Sequence, residues 1–366
     1  MEKNRIGTAQ LMILLFLSRL FNALTYIPGM GSTVSGTAML FSNLIGAGVL
    51  LLLFLPLVVM ANRYPERSIV MNLRAGFHGI GSFCSIFYYL FLILLAAQTL
   101  AQFQFFMSNA VYPDAAVWVI ILPMLLVAVY AAHAGIEGIA RAGFLIFIAF
   151  CIAFAFIILS SVQNVDLYNV VPLGHKAVQE IMQGVYAVVS RGAELVLFCL
   201  LLPYAGKGTG TAAAGFTLLS FSVQEIIGFF ILTVLGSFSY SQTFPFFSLA
   251  SMSEISVFQR MDALYMGIWV FVAFIRLSLL LLLAADIIKF ILPDRKSGAH
   301  HRFSLAVTVL LVLAAALPAC YNMKALSASY QLLFSGIPVL VLGVLIPAGV
   351  LLKMEWKKKK NKERIK

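Results

Sequence analysis

Apolar stretches long enough to cross a lipid bilayer recur along the whole sequence, and they constrain its fold more than any other feature. A membrane-spanning helix needs about 20 mostly apolar residues. The sequence contains ten such stretches, which start near Thr8, Thr37, Gly81, Ala115, Ala142, Gln183, Thr211, Ala263, Phe303 and Leu332. None shows the strict alternation of a membrane-spanning strand, which favours helices. The sequence therefore predicts an all-α integral membrane protein with ten transmembrane helices.

Composition excludes a water-soluble globule of this size. Hydrophobic residues make up 62% of the 366 residues and charged residues 11%, which leaves too little polar surface to cover a soluble protein. The first apolar stretch, from Thr8 to about Met30, is longer than the core of a signal peptide, and no A-x-A-like cleavage site follows it. We expect it to be retained as the first membrane span.

Basic residues are distributed unevenly, which predicts the orientation of the chain. The formal net charge is +11, and much of it lies in the lysine-rich segment 353–366. If both termini are cytoplasmic, the outer connections contain only Lys176, Arg260 and Lys324 as basic residues. This distribution follows the positive-inside rule for ten spans. We expect the basic tail to contact the anionic headgroups of membrane lipids, and we expect no nucleic-acid partner.

The lengths of the connections predict an internal repeat. A short, a long and two short connections follow the first four spans, and the same order recurs after the sixth span. Because the two copies are an odd number of spans apart, the second would be inverted in the membrane, as in inverted-repeat transporters. The expected division is a first five-helix repeat (1–162), a second, inverted repeat (163–352) and a basic cytoplasmic tail (353–366). In such a five-plus-five fold, helices one and six are expected to be interrupted near a midplane binding site.

The sixth apolar stretch carries an arginine and a glutamate at its centre, in the order Ser190, Arg191, Gly192, Ala193 and Glu194. A charged residue at the centre of a membrane helix costs about 2.5 to 3.5 kcal/mol, and each large apolar residue returns about 0.3 to 0.6 kcal/mol. Anchoring does not explain this arrangement. We therefore predict that Ser190, Arg191, Gly192 and Glu194 contribute to a ligand site at a helix break.

The first span contains a similar polar region. Arg19, Asn22 and Thr25 precede Pro28, and both spans combine Ser-Arg with a later proline. We expect unwound backbone from about Asn22 to Thr25 and assign Arg19, Asn22 and Thr25 to the ligand site. A half-helix N-terminus would face a ligand carboxylate there.

Polar residues in other spans have competing explanations. Gln98 and Gln102 share one face of the third span, and either ligand contact or an interhelical hydrogen bond would explain Gln98. Glu225 in the seventh span is a candidate proton carrier or ion partner, as is Glu194, and Arg276 could neutralise a buried carboxylate. The outer segments Val165–Met182 and Phe244–Met261 are expected to form short interfacial helices, although solvated loops are the alternative.

Motifs for metal or cofactor chemistry do not occur in the sequence. The histidines and cysteines lack the converging spacing of a metal site, and there is no G-x-S-x-G, H-E-x-x-H or P-loop motif. We therefore expect no metal, no cofactor and no enzymatic activity.

Several segments resemble the endospore germination permeases, the B subunits of spore germinant receptors. The resemblance extends from about Ile6 to Leu352. It is carried by Arg63-Tyr64-Pro65, Gly135-Ile136-Glu137-Gly138-Ile139-Ala140-Arg141, Gly192-Ala193-Glu194 with Pro203-Tyr204, and Phe244-Pro245 through Asp262-Ala263-Leu264 to Trp269 and Phe274.

This resemblance implies membership of the amino acid/polyamine/organocation transporter superfamily and a location in the spore inner membrane. It also implies germinant-receptor A and C subunits as partners. Gly192 and Glu194 match the family's Gly-x-Glu in the sixth span, whereas Arg19 and Arg191 depart from its pattern. Such an arginine could favour a carboxylate or another anion, or could neutralise Glu194.

Together these features predict a nutrient-sensing receptor subunit that binds a small germinant, most simply an amino acid, between spans one, three, six and eight. The alternative is a proton- or sodium-coupled amino acid transporter, and a channel is a third hypothesis. A neighbouring gene for an A or C subunit would favour the receptor, whereas uptake by the purified chain would favour transport.

Overall fold

Helices account for nearly all of the regular structure in the computed structural model, which describes residues 5–25, 36–64, 67–170, 178–253, 261–291 and 297–365. Within these ranges there is no strand, and one isolated β-bridge joins Ile6 to Ala205. The α-helices of the described residues are α1 (Thr8–Leu24), α2 (Thr37–Arg63), α3 (Ile69–Phe106), α4 (Val117–Ala134), α5 (Ile136–Ser161), α6 (Val178–Ser190), α7 (Glu194–Leu201), α8 (Thr209–Phe230), α9 (Pro245–Met252), α10 (Asp262–Ile291), α11 (Ser297–Tyr321), α12 (Met323–Leu333), α13 (Ile337–Leu340) and α14 (Ile346–Ile365).

Shorter helical segments extend or join these helices. The π-helical segments are Met107–Val111, Ile231–Leu235 and Val341–Leu345, and the 3-10 segments are Val162–Asn164, Leu167–Val170 and Gly236–Ser241. Two tight connections depend on glycine, because Gly135 between α4 and α5 and Gly208 before α8 have φ values of 95° and 90°. Glycine adopts such angles without the steric penalty of a Cβ atom.

Nine helical segments of the described chain are long and apolar enough to cross a membrane. They are Thr37–Arg63, Gly81–Val111, Val117–Ala134, Ile136–Asn164, Val178–Leu201, Thr209–Ser241, Asp262–Lys289, His301–Tyr321 and Met323–Trp356. The predicted all-α, multi-pass membrane fold is therefore confirmed. Because α1 is apolar but has 17 residues, and residues 26–35 lie outside the described ranges, the count of ten spans stays a prediction.

The sixth apolar stretch lies at the centre of the molecule. In the most apolar window of Val178–Leu201, 89% of the residues are buried, compared with 33% in α2. Exposed large side chains such as Leu52 of α2, Leu126 of α4 and Leu145 of α5 give these outer helices lipid-facing surfaces. The costly sequence of the sixth stretch is thus shielded from lipid by the surrounding helices.

Aromatic side chains fill the space between α3 and α10 next to the C-terminal end of α1. The Trp269 ring stacks on Phe103 at a centroid distance of 5.1 Å and contacts Phe106 at 4.2 Å. Trp269 also donates a hydrogen bond from Nε1 to Thr25 Oγ1 at 2.8 Å. These contacts fix the end of α1 against α10.

The sixth span is interrupted as the sequence predicts, whereas α1 remains helical over part of the stretch that was predicted to be unwound. Helix α1 stays helical through Asn22 and ends at Leu24, with Thr25 as its C-cap residue. Tyr265 donates a hydrogen bond to the Leu24 carbonyl at 2.6 Å, so a terminal carbonyl of α1 has a partner without unwinding. The expectation of unwound backbone from Asn22 onward is therefore corrected for Asn22 to Leu24, and Pro28 lies outside the described residues.

The outer segments predicted as interfacial helices are described in part. Residues 171–177 and 254–260 lie outside the described ranges. In the second outer segment, α9 precedes residues 254–260 and buries Phe246 and Leu249. This helix therefore packs on the protein core. At the C-terminus, α14 continues through the predicted tail as far as Ile365.

The start of α1 is tied to the end of α7. The Ile6 amide donates to the Tyr204 carbonyl at 2.8 Å, and the Gly206 amide donates to the Ile6 carbonyl at 3.3 Å. Thr8 Oγ1 adds a hydrogen bond to the Lys207 carbonyl at 2.7 Å. Helices α1 and α7 are thus joined at one end of the molecule.

The same end of α7 is joined to α10. The Tyr204 hydroxyl donates to Asp286 Oδ2, and Lys289 Nζ lies 2.6 Å from Asp286 Oδ1. Burial and the neighbouring Asp286 carboxylate raise the pKa of Tyr204, so its hydroxyl keeps its proton and remains a donor.

Candidate functional site

The break in the sixth span consists of the residues between the end of α6 at Ser190 and the start of α7 at Glu194. The Gly192 amide donates to the Val189 carbonyl at 2.9 Å. A Cβ atom on Gly192 would lie 2.8 Å from Leu50 Cδ1 and 2.9 Å from the Val189 carbonyl oxygen. Glycine is therefore favoured here, because a Cβ atom would press on the Val189 carbonyl and on the Leu50 side chain of α2.

The Arg19 guanidinium occupies the gap between the two half-helices. Its Nη1 donates to the Arg191 carbonyl at 3.1 Å and lies 3.4 Å from Glu194 Oε2, while Nη2 donates to the Val188 carbonyl at 3.5 Å. The last carbonyls of a helix lack partners within the helix. At the end of α6 the Arg19 guanidinium supplies hydrogen-bond donors to such carbonyls. Glu194 sits in the first turn of α7, where a negative charge interacts favourably with the helix dipole.

A second arginine approaches the same region from α10. Arg276 Nη1 donates to the Ser18 carbonyl at 2.5 Å, and its Nε donates to Thr99 Oγ1 at 3.1 Å. Glu194 attracts Arg276 electrostatically as well as Arg19. We call Arg19, Glu194 and Arg276 the charge cluster. These three residues are 4%, 0% and 1% exposed.

A cavity of about 90 Å³ lies beside the break, between α1, α2, α6 and α8. A water needs roughly 10 to 15 Å³ by the same measure, so the space holds several waters or a small polar molecule. Apolar residues form part of the wall, and the polar residues that line it are Arg19, Asn22, Ser42, Asn43, Arg191 and Gln224. We call this space the cavity.

Several polar side chains that line the cavity have no hydrogen-bond partner within the described chain. The amide atoms Nδ2 and Oδ1 of Asn22 are buried and make no hydrogen bond to any described residue. The half-buried Arg191 side chain likewise forms no hydrogen bond or ion pair with the residues that the structure describes. Burying the Asn22 amide without a partner is unfavourable. The cavity can therefore bind a small polar ligand that supplies those partners.

Other predicted site residues have partners inside the protein. Ser190 Oγ donates to the Ala187 carbonyl at 3.0 Å, within α6. Thr25 Oγ1 donates to the Phe21 carbonyl at 2.6 Å and accepts the hydrogen bond from Trp269. Their hydroxyl groups hold the helices in place and do not line the cavity.

Gln98 and Glu225 are not among the residues that line the cavity. Ser329 Oγ donates to Gln98 Oε1 at 2.5 Å, which links α3 to α12. Glu225 follows the cavity-lining Gln224 on α8, but it is not itself a lining residue. Its Oε1 atom is buried and has no hydrogen-bond partner among the described residues. The structure thus brings Arg19, Asn22, Arg191, Gly192 and Glu194 to the break. Gln98 and Glu225 do not take part in these contacts.

The position of the cavity is the part that sequence reasoning missed. The site was expected between spans one, three, six and eight. In the structure, Arg276 and the aromatic side chains around Trp269 pack there. The cavity involves spans two and seven instead, through Asn43 and Gln224. Their polarity inside apolar helices was the available signal, but it does not say which way each side chain faces.

Comparisons with known proteins are consistent with this architecture. A family model described as "Spore germination protein" matches residues 5–324. Spore germination protein KB of Bacillus subtilis (strain 168) is 24% identical over 293 residues, covering 77% of each chain. A substrate-bound, outward-open structure of a Na⁺-coupled sialic acid symporter matches with a TM-score of 0.64 at 13% identity, covering 96% of this chain and 90% of that one. The structural likeness concerns the fold alone.

Proposed function

The chain belongs to the spore germination protein family, and from that premise we propose that it is the nutrient-sensing membrane subunit of a spore germinant receptor. A small germinant, such as an amino acid, would bind at the break in the sixth span. The observation that carries this proposal is the cavity beside the break, where Arg191 and Asn22 have no side-chain partners within the described chain.

The arrangement of helices suggests how binding would be transmitted. The cavity is lined by α1, α2, α6 and α8, so one ligand contacts four helices at once. Arg19 lines the cavity and also holds the carbonyls at the end of α6. A ligand that binds one arrangement of these helices more tightly shifts the population toward it, whereas equal affinity for both shifts nothing.

The remaining parts of the proposal concern the surroundings of the chain. We place it in the spore inner membrane with both termini cytoplasmic, where receptor A and C subunits would detect the change in helix arrangement. The joined ends of α1, α7 and α10 would then lie on the cytoplasmic side. The basic tail would hold that side against anionic lipid headgroups.

Coupled transport is the second candidate function. The fold resembles that of a Na⁺-coupled symporter, and the buried Oε1 of Glu225, which has no partner among the described residues, would suit a proton carrier. The two functions differ in one measurement. The purified chain in liposomes should bind a germinant without net uptake if it is a sensor, whereas uptake driven by a proton or sodium gradient would favour the transporter.

The direct test compares two asparagine variants in spores. Asn22→Ala removes a cavity-lining amide, and we expect it to weaken germination in response to the nutrient while the protein level in the membrane stays normal. Asn109→Ala is the matched control, because this asparagine is exposed and donates only to the Phe105 carbonyl at 2.7 Å. A normal response of Asn22→Ala spores, or an equal loss in both variants, would contradict the proposed site.

Ligand binding itself can be measured on the purified chain. A ligand at 100 times its Kd stabilises the folded state by about 2.7 kcal/mol, so a panel of amino acids and related nutrients should contain compounds that raise the melting temperature. The same compounds should raise the melting temperature of the Asn22→Ala variant by less.

A further inference from the structure

We propose that the ligand of the cavity is a small organic acid with a net negative charge, and that its carboxylate pairs with Arg191. This inference rests on the proposed function, because it assigns a chemical class to the ligand of the same cavity. It goes beyond that function by distinguishing an anion from a neutral or zwitterionic nutrient.

The first argument is the balance of charge around the break. In the described part of the chain, Arg19, Arg191 and Arg276 are brought to this region and Glu194 is the one carboxylate among them. Charges in a low-dielectric interior are unfavourable unless they are compensated. Positive charge is therefore in excess beside the cavity, and a bound anion would reduce that excess.

The second argument concerns which arginine neutralises Glu194. Glu194 Oε2 is 3.4 Å from Arg19 Nη1. Arg191 contributes its backbone carbonyl to Arg19, and within the described residues its guanidinium forms no ion pair with Glu194 or with any other carboxylate. Arg19 thus neutralises Glu194, which leaves the Arg191 guanidinium for a ligand.

Two other acidic side chains in the spans, Asp286 and Glu225, do not pair with Arg191. Asp286 is paired with Lys289 at 2.6 Å and with Tyr204, at the far end of α7. Glu225 on α8 does not line the cavity. We therefore assign the carboxylate that pairs with Arg191 to the ligand.

The third argument is the match between the lining groups and an organic acid. A guanidinium presents a planar set of donors that fits a carboxylate with two parallel hydrogen bonds. The Asn22 amide offers both a donor and an acceptor to the remaining polar group of the ligand. Val188 and Ile227 in the cavity wall would contact its carbon chain.

The test uses pairs of compounds that differ in charge and hardly in size. The purified full-length chain is titrated with aspartate against asparagine and glutamate against glutamine, with thermal stabilisation as the readout. A hydrogen bond to a charged group contributes enough free energy to raise the affinity about 10- to 100-fold. We therefore expect each acid to bind at least tenfold more tightly than its amide.

Variants at Arg191 identify the group responsible. Arg191→Gln should abolish the preference for the acids, and Arg191→Lys should retain the preference with weaker binding because it keeps the charge but loses the planar fork. Arg141→Gln is the control. That arginine is exposed and paired with Glu137 at 3.4 Å, so its replacement should leave the preference unchanged.

Each contrary result has a defined meaning. Equal binding of acid and amide, no stabilisation by either acid, or a preference that survives in Arg191→Gln would overturn the proposal. A neutral nutrient that stabilises the chain and triggers germination would overturn the anionic ligand but leave the receptor function standing. Binding of acids without any germination response would support the anionic ligand and contradict the receptor function.

Discussion

The charge cluster and the cavity meet at one helix break, where Arg19 belongs to both, yet Arg19 and Arg191 differ in their surroundings. Arg19 in the charge cluster is 4% exposed and donates to two backbone carbonyls and to Glu194. Arg191 at the cavity has no side-chain partner among the described residues. The comparison shows that a charge inside a membrane protein does not have one meaning: Arg19 completes the protein's own structure, whereas Arg191 is left for a ligand.

Replacement of Glu194 should have the largest effect, because the charge cluster depends on its carboxylate. Removing one partner of a buried ion pair typically destabilises a protein by about 3 to 5 kcal/mol, so we expect Glu194→Gln to lower the melting temperature strongly or to prevent folding. Glu137→Gln is the control. Its pair with Arg141 is exposed, at 41% and 77% of the two side chains, and such pairs contribute about 0 to 1 kcal/mol.

The measurement is thermal unfolding of both purified variants beside the parent chain. If Glu194→Gln melts at the temperature of the parent, or if the two glutamine variants are equally damaged, the charge cluster does not have the structural role assigned to it.

Replacement of Gly192 should have the next largest effect, because this residue lies in the break itself, between α6 and α7. In Gly192→Ala the new methyl group would approach Leu50 and the Val189 carbonyl to less than 3.0 Å. Overpacking of this kind costs about 1 to 3 kcal/mol. We expect lower thermal stability together with weaker ligand binding.

Gly48→Ala provides a matched control on α2, the helix that packs on Gly192. A Cβ atom at Gly48 has no described atom within 4 Å, and alanine in a helix is favoured over glycine by about 0.5 to 1 kcal/mol. This variant should be as stable as the parent or slightly more stable. A Gly192→Ala protein that behaves like Gly48→Ala would contradict the close approach of α2 to the break.

Asn22→Leu should raise the thermal stability of the protein without ligand, in contrast to the two replacements above. The Asn22 amide atoms are buried and make no hydrogen bond to the described residues, and a buried polar group without a partner is unfavourable by about 1 to 3 kcal/mol. We expect the variant to melt at a higher temperature in the absence of ligand and to gain less from ligand. A loss of stability without ligand would indicate that the Asn22 amide serves the protein's own structure.

Arg191→Gln should have the smallest effect on the protein without ligand. Its side chain is half-buried and has no partner in the described chain, and substitutions away from specific contacts usually change stability by no more than about 0.5 kcal/mol. The informative measurement is the pair of melting curves with and without ligand. A destabilisation comparable to that of Glu194→Gln would remove the difference between the two regions.

The sequence was sufficient to predict the helical membrane fold and the interrupted sixth span, because both follow from local energetics. A run of apolar residues identifies a span wherever it packs, and the residues from Ser190 to Glu194 are unfavourable in any lipid-facing helix. The position of the cavity depends instead on tertiary packing. Arg19 meets Glu194 across 175 positions of sequence, and no local pattern reports which helices meet there.

The end of α1 illustrates the same limit. Its polar residues suggested unwound backbone from Asn22, but Tyr265 and Trp269 of α10 supply hydrogen-bond partners to Leu24 and Thr25. A helix terminus whose polar groups find partners in a neighbouring helix does not need to unwind earlier. The presence of costly residues was therefore predictable, whereas the partners of each residue were not.

The ion pair between Arg19 and Glu194 also has a consequence for the order of synthesis. Its two members are 175 residues apart, so the arginine of α1 enters the membrane long before the ribosome has made its carboxylate. Until then the nascent chain must carry a charge that lipid disfavours. A half-length chain that ends before the sixth span should accordingly be cleared by cellular quality control, and co-expression of the missing half should rescue it.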